Sequence, residues 1–424
     1  MLTSIENAIY DRVKDNVWLK NRLKWAYQRL FSELSSSSVE TNLSLTERPR
    51  AFFGFHDKSP WSKDGELLLG HAAPGDGVGE MWKDGRSIDI LLFEGERWTQ
   101  STRIECTRAW NWQQGAQLQW MGPGREIVFN DFREGTNVGV IYDLEADRKR
   151  VLPYPVAAAS PNGRQYASVC FETFGRAMDG YGYAFGETGG TSPVDPATLV
   201  LSEREGGEQR VTLADVPTRI EPSEDPDAID FFSHCLFSPD GARVLFLRRQ
   251  ARPNRRLRSE LFSIYLDDGS IQRVEFENMV SHFTWLGPET ILAYANTRSG
   301  GDGFYVADAA SGQVTPWPPH PDGRDGHLHA TLSGGRVVFD TYPDRARRQH
   351  LYLWDEGEER PREIASLFSP MKFWGTSRVD LHPRIRADGK FIAFDAGYSG
   401  ARSLVTARLP PSLGAEGGAP GASG

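Results

Sequence analysis

Along most of this chain the apolar residues fall in short, strand-length runs, each closed by a polar turn that contains glycine. One unit occurs four times: a histidine, an apolar strand, a tight turn and a second apolar strand. The copies read SHCLFSPDGARVLFLRR from Ser233, SHFTWLGPETILAYAN from Ser281, GHLHATLSGGRVVFD from Gly326 and DLHPRIRADGKFIAFD from Asp380. Their histidines, His234, His282, His329 and His382, recur at a step of roughly 50 residues, the period of a β-propeller blade. Looser copies begin near Phe53, at Trp110 and at Ala157. The pattern predicts an all-β fold, a seven-bladed β-propeller over residues 39–409. Between the third and fourth copies, about 60 residues are expected to supply outer strands and a long loop.

One segment departs from the strand pattern. From about Ser4 to Leu34, Ile5, Ile9, Val13, Val17, Leu23, Ala26 and Leu30 keep a three-to-four spacing, which predicts an amphipathic helix. Arg12, Lys14, Lys20, Arg22, Lys24 and Arg29 make it basic. Such a helix can pack on the propeller rim, hold a partner protein, or lie on an anionic membrane surface. Four serines at 35–38 read as a linker, so residues 1–38 form a helix-and-linker unit. Residues 410–424 are rich in Pro, Gly and Ala and are predicted to be disordered.

Composition narrows the function classes. The 424 residues carry a net charge of −9 with no dominant basic stripe, which argues against nucleic acid as a partner. No apolar run reaches the about 18 residues a spanning helix needs. Cys106, Cys170 and Cys235 lie in predicted strands and are odd in number, as expected of buried free thiols in a reducing compartment. Glu6, Asp11 and Arg12 interrupt any signal-peptide core. The expected location is the cytoplasm, peripheral to the inner membrane if the helix binds lipid.

In a propeller the first strand of each blade runs along the central channel, and the tight turn returns the second strand to the starting face. Residues that open first strands and close second strands therefore meet at one mouth. Strand starts supply His56, Asp57, Trp112, Gln113, His234, His282, His327, His329, Asp380 and His382. Strand ends supply His71, Asn130, Asp131, Arg248, Arg249, Asn296, Asp340 and Asp395. Each histidine alone is open to a structural role, but polar residues confined to one end of every blade are hard to explain by packing.

Imidazoles with a carboxylate suit a divalent ion such as Mn²⁺ or Ca²⁺, which makes His282, His327, His329, Asp380 and His382 candidate ligands. His327 and His329 share a side if their segment is a regular strand. Arg248 and Arg249 are candidates for a bidentate pair on a substrate carboxylate. His56, Trp112, Gln113 and Arg384 are candidate sugar contacts, with ordinary blade packing the alternative for the tryptophan. Tyr181 and Tyr183 stand on a Gly-rich segment, and Tyr183 or a second histidine is the candidate proton donor to a leaving oxygen.

The segments SHFTW, DGHLHATLSGGRVVFDTYPD and DLHPRIRADGKFIAFD resemble seven-bladed polysaccharide lyases, foremost oligogalacturonate lyases and more loosely ulvan lyases, over roughly residues 230–408. FFGFHDKSPW, WNWQQGAQLQW and DTYPD also resemble propeller proteins associated with bacterial surface-polysaccharide synthesis. The lyase resemblance implies a manganese ion held by histidines and a glutamine, and another histidine that takes the carbon-5 proton of a uronate. Carried over by motif, His382 matches the second histidine of the family's His-Pro-His signature. Asp380 stands at the first histidine and Ser377 at the glutamine, two departures from the pattern. His282, or His327 with His329, matches the earlier metal histidine, and His234 matches the base. The implied function is β-elimination on an acidic oligo- or polysaccharide. The alternative is a non-catalytic propeller that binds a glycan or a protein in cell-surface polysaccharide assembly.

Overall fold

A computed structural model describes residue 12 and residues 16–33, 39–183, 192–253, 255–317, 323–333 and 335–412. Seven antiparallel sheets form the blades of a β-propeller. Blades 1 to 5 use consecutive strands, from Ala51–Phe52 in blade 1 to Val314–Pro316 in blade 5. The turns between first and second strands show why a serine, then Asp or Asn, then Gly recurs, as at 62–65, 160–163 and 238–241. In blade 4 the Ser238 hydroxyl and the Ala242 N–H both donate to Asp240, and Gly241 takes φ 76°. Ser62, Asp64 and Gly65 (φ 75°) build the same turn in blade 1. The carboxylate replaces the missing ladder partners, and only glycine enters the left-handed region without a Cβ penalty.

The ring is closed by the start of the chain. Blade 7 takes Arg384–Ile385, Phe391–Ala396 and Ser403–Arg408 from the C-terminal part and its outermost strand, Leu45–Pro49, from the N-terminal part. Leu45 pairs with Ala407 and Pro49 with Ser403. A second N-terminal strand, Val39–Thr41, adds a fifth strand to blade 6, with Val39 opposite Leu367. Pairing these edges removes open hydrogen-bonding rims that otherwise invite aggregation. The mid-strand residues Phe246, Val337, Phe339, Ile392 and Phe394 are fully buried, as their apolar character requires.

Two α-helices occur among the described residues, α1 (Val17–Ser32) and α2 (Phe171–Ala177). Asn16 caps α1 by accepting the Leu19 N–H at 3.1 Å. The expected helix started near Ser4; residues 1–11 and 13–15 lie outside the described residues. Helix α2 falls in the stretch expected to be strands and loop. It interrupts blade 3 between Gln165–Val169 and Thr198–Glu203. Most of the tail predicted to be disordered, beyond residue 412, lies outside the described residues. All three cysteines are free thiols.

Blade 1 contains the irregularity that matters most. Ala51–Phe52 pairs with Ala72 and His71, the chain then leaves the sheet, and Trp61 rejoins it opposite Leu68. The excursion carries Phe55 and His56 among the histidines of blades 4 to 7.

Candidate active site

The excursion is held from blade 7. Asp395 accepts the backbone N–H groups of Phe53 and Gly54 at 2.9 and 3.0 Å. Arg384, fully buried, donates to the carbonyls of Gly54 and Phe55 and pairs with Asp395 at 3.2 Å. Arg384 is thus a positioning group, not the sugar contact expected from sequence. Phe55 lies with its ring centroid 4.5 to 6.2 Å from those of His56, His234, His282, His327 and His382. Five imidazoles from five blades therefore surround one phenylalanine.

Four of them touch one another. The ring centroids of His282 and His327, and of His327 and His382, are 4.2 Å apart, and His56 lies 5.4 Å from both His282 and His327. The backbone aims two of these rings with unusual geometry: His234 has φ 54° and His382 φ 45°, left-handed conformations that cost energy in a non-glycine residue. His234 sits in a bulge of Ile229–Phe237, and His282 sits inside Val280–Trp285, where the sequence suggested positions just before each strand.

Three of these rings have a defined acceptor at Nδ1. His327 Nδ1 lies 3.0 Å from Asp340, whose other oxygen accepts the His382 backbone N–H at 3.0 Å. A Cβ at Gly326 would come within 1.7 Å of the Asp340 carbonyl oxygen, so only glycine fits beside this pair. His282 Nδ1 lies 3.1 Å from Asp325. His56 Nδ1 faces the Leu328 carbonyl at 2.7 Å, an acceptor that fixes the proton on Nδ1 and leaves Nε2 as a lone-pair site. His382 Nε2 and Asp380 Oδ1 are buried without a protein partner.

Burial keeps most of these rings neutral. Desolvation, then neighbouring positive charge, holds His56, His234 and His382 well below the usual imidazole value; His282 is lowered for the same reasons. His327 differs. Burial opposes its charge most strongly, but the charge and hydrogen bond of Asp340, followed by Asp380 and Asp325, together raise it.

Around this buried floor stands a rim of polar groups. Arg378 pairs with Asp380 at 2.7 Å and donates to the Tyr181 hydroxyl at 2.9 Å. Tyr342, half-buried, faces His327 Nε2 at 3.5 Å. Arg249 donates to Met178 Sδ and to the Ser281 carbonyl, and its charge acts on His234. Helix α1 crosses the rim. Buried Gln28 donates to the carbonyls of Pro343 and Asp344 at 2.8 and 2.6 Å and accepts from Arg347 at 3.1 Å. One turn earlier, the Lys24 ammonium stands 6.0 Å from the Tyr342 ring centroid. Crowding by protein, then Arg347, pushes its pKa down to about 8, against the pull of Asp380. Lys24 as a residue is exposed.

Several residues singled out by sequence stand elsewhere. Arg248 and Arg249 are neighbours on one strand, so they point to opposite faces. Arg248 pairs with Asp230 at 2.7 Å, and only Arg249 reaches the rim. Tyr183 is buried against Phe171 and accepts from Asn130 at 2.8 Å; Tyr181, 6.1 Å from His234 between ring centroids, takes the place expected of it. Trp112 is 1% exposed, donates to the Gly79 carbonyl and packs against Phe52, Trp110 and Arg402, leaving no face for a sugar. Gln113 is buried and donates to the Arg378 carbonyl. His71 is buried against Phe52, away from the mouth. His329 accepts the Ile385 N–H at 3.4 Å and lies outside the ring cluster, so His327 and His329 do not act as a pair. Ser377 is engaged with Gly79 through both its donor and its acceptor. Lys24, Asp325, Tyr342 and Arg378 were missed. Each stands outside the first- and second-strand ends on which the sequence argument relied.

One group of residues has the chemistry of a metal site. Ligand atoms of His327, Asp380 and His382 lie within 4.8 Å of one another, and all three residues are buried. The unpartnered His382 Nε2 and Asp380 Oδ1 are donors of the right kind, and Asp340 orients His327 as the outer carboxylate of metal-bound histidines does. His282 and His329 are not in this group. The residues present fit a divalent ion.

No protein-family model and no curated protein matches the chain by sequence. Solved structures do resemble it. An oligogalacturonate lyase from Vibrio parahaemolyticus aligns with 88% of this chain and 98% of its own, at 12% identity and a TM-score of 0.58. An oligogalacturonate lyase in complex with manganese aligns with 89% of this chain and 98% of its own, at 15% identity and a TM-score of 0.57. The fold is that of the oligogalacturonate lyases. At such identity the likeness extends to architecture and leaves the chemistry to be argued from the residues.

Proposed function

We propose that the mouth binds a uronate-containing oligosaccharide and cleaves it by β-elimination. The observation that carries this reading is the placement of His234 between a cation and a phenol, Arg249 and Tyr181, at the edge of a buried imidazole cluster. Arg249 and Lys24 present positive charge to a substrate carboxylate, which makes the adjacent carbon-5 proton more acidic. His234 Nδ1 faces Ser233 Oγ at 2.9 Å, which leaves Nε2 to take that proton. The C5–H electrons form the C4=C5 double bond as the C4–O bond breaks. Tyr181, held by Arg378, protonates the departing oxygen. Burial of Tyr181 raises its pKa and keeps the phenol protonated until that moment.

A divalent ion would be held by His327, Asp380 and His382, and when bound would add a Lewis-acidic charge against the substrate carboxylate. Two imidazoles and one carboxylate suit Mn²⁺ better than Ca²⁺, which prefers oxygen ligands. The manganese complex of one structural relative supports that choice.

The test is incubation with a panel of uronate oligosaccharides, with and without Mn²⁺, following ultraviolet absorbance of the unsaturated product. Wild type should generate product and His234→Ala should not, while both keep the same melting transition. Retained turnover in His234→Ala removes the base role. One observation favours a second reading, a non-catalytic glycan-binding propeller: the depressed basicity of His234 makes it a weak base. Tight binding of the same sugars without product supports that alternative.

A further inference from the structure

We infer that α1 is an interfacial helix whose outer side docks on an anionic lipid surface, with the mouth held beneath it. The inner side of α1 is fixed by Gln28, clamped to the Pro343–Asp344 backbone, and by Lys24 over the rim. At 100° per residue, Leu19, Leu23, Ala26 and Leu30 form a single stripe on the opposite side. That stripe is open: Leu19 is 37%, Leu23 44% and Leu30 65% exposed. Arg22 and Arg29 border it on one edge, and Trp18 and Trp25, 54% and 47% exposed, stand just beyond them. The three leucines and two tryptophans account for most of the large exposed hydrophobic side chains among the described residues. A helix that served only to cover the propeller would turn its leucines inward; this one seats Gln28 there.

The charge on the same helix selects the occupant. Residues 17–32 contain Lys20, Arg22, Lys24 and Arg29 and no acidic residue, in a chain whose net charge is −9. Glu33, just beyond, pairs with Arg29 at 3.5 Å. Arg22 lies over the Trp18 ring at 4.4 Å, and Arg345 of the propeller stands over Phe31 at 5.8 Å. Leucines flanked by tryptophan and arginine match the boundary between acyl chains and phosphate head groups. A second copy of the chain would bring Arg22 and Arg29 against the same cations, which disfavours it as the occupant. Among the described residues no helix is long and apolar enough to cross a membrane, so α1 would lie flat. This inference does not depend on the lyase reading, because it is tested by binding alone.

The intact protein is sedimented with phosphatidylcholine vesicles, with and without phosphatidylglycerol, at low and high salt. Binding should require phosphatidylglycerol and weaken with salt. Leu23→Glu/Leu30→Glu, at exposed positions, should lose affinity by about tenfold or more at an unchanged Tm. Failure of the wild type to bind anionic vesicles, or equal binding by the double variant, overturns the inference. Sedimentation velocity without lipid adds a further check: a wild-type dimer that the double variant dissolves assigns the face to a second copy and overturns it equally.

Discussion

The Asp340 carboxylate lies 3.0 Å from His327 Nδ1, and neither side chain is more than 1% exposed. Its second oxygen accepts the backbone N–H of His382, so one side chain of blade 6 fixes a ring on its own blade and the backbone that carries a ring on the next. An acceptor at Nδ1 places the His327 proton there and turns Nε2 toward His282, His382 and Tyr342.

Asp340→Asn keeps the shape of this joint and removes its charge. Turnover of a uronate oligosaccharide should fall by roughly 10- to 100-fold, the usual effect of losing an outer carboxylate behind a functional histidine. Steady-state rates measured beside a thermal melt separate this from unfolding.

The two tyrosines of the Gly-rich segment should part company. Tyr181→Phe should lower kcat by about 100-fold or more, the scale of a lost general acid. Tyr183→Phe should leave kcat alone and cost on the order of 1 kcal/mol of stability by removing one of the buried Asn130 hydrogen bonds, read from denaturant midpoints.

Lys24→Met should raise KM for acidic oligosaccharides while kcat and Tm hold, because the ammonium borders the mouth and has no ion-pair partner among the described residues. A KM that stays at the wild-type value would remove Lys24 from the substrate site.

Mn²⁺ should stabilise the wild type logarithmically with its concentration, by about 2.7 kcal/mol at a hundredfold excess over Kd, read as a rise in melting temperature. His382→Ala should erase the increment, and Ca²⁺ should give little, since two of the three ligands are imidazoles.

Acid should destabilise the fold through buried neutral histidines. His71 is fully buried beside Phe52, accepts the Ala116 N–H at 3.2 Å, and is pushed down to about 4 by desolvation from a free value of 6.5. Above pH 6.5 the ring is neutral in both states and its contribution is intact. As the pH falls from 6.5 toward 4, the unfolded chain takes up a proton that the folded chain refuses. Stability then drops by about 1.4 kcal/mol per pH unit from this residue and levels off below about 4. Denaturant titrations across that range should show His71→Gln with a shallower slope by that amount.

The propeller was legible because its turns and strand alternation are local, as at Ser238–Gly241 and its equivalents. Its closure was not. Val39–Thr41 and Leu45–Pro49 are short and lack clear alternation, and they gain meaning only from partners more than 300 residues away. In the site, the rule that strand starts meet at one face brought out the histidines. It could not decide between neighbours: Arg248 from Arg249, Tyr181 from Tyr183, or His327 from His329. Arg248 and Arg249 differ by a single step, which reverses the facing of a side chain on a strand. Tyr181, Tyr183 and His327 lie outside regular strands, so the two-residue alternation does not apply to them. Trp112 misled for a related reason, since a tryptophan beside a channel and one inside a blade look alike in sequence.

Only residues 33–38 separate the C-terminal end of α1 from the strand that widens blade 6, and the next strand completes blade 7. The stretch of chain that borders the mouth therefore runs directly into the two strands that complete blades 6 and 7, the blades that present His327 and His382. One N-terminal portion of the chain thus both frames the opening and finishes the walls behind it.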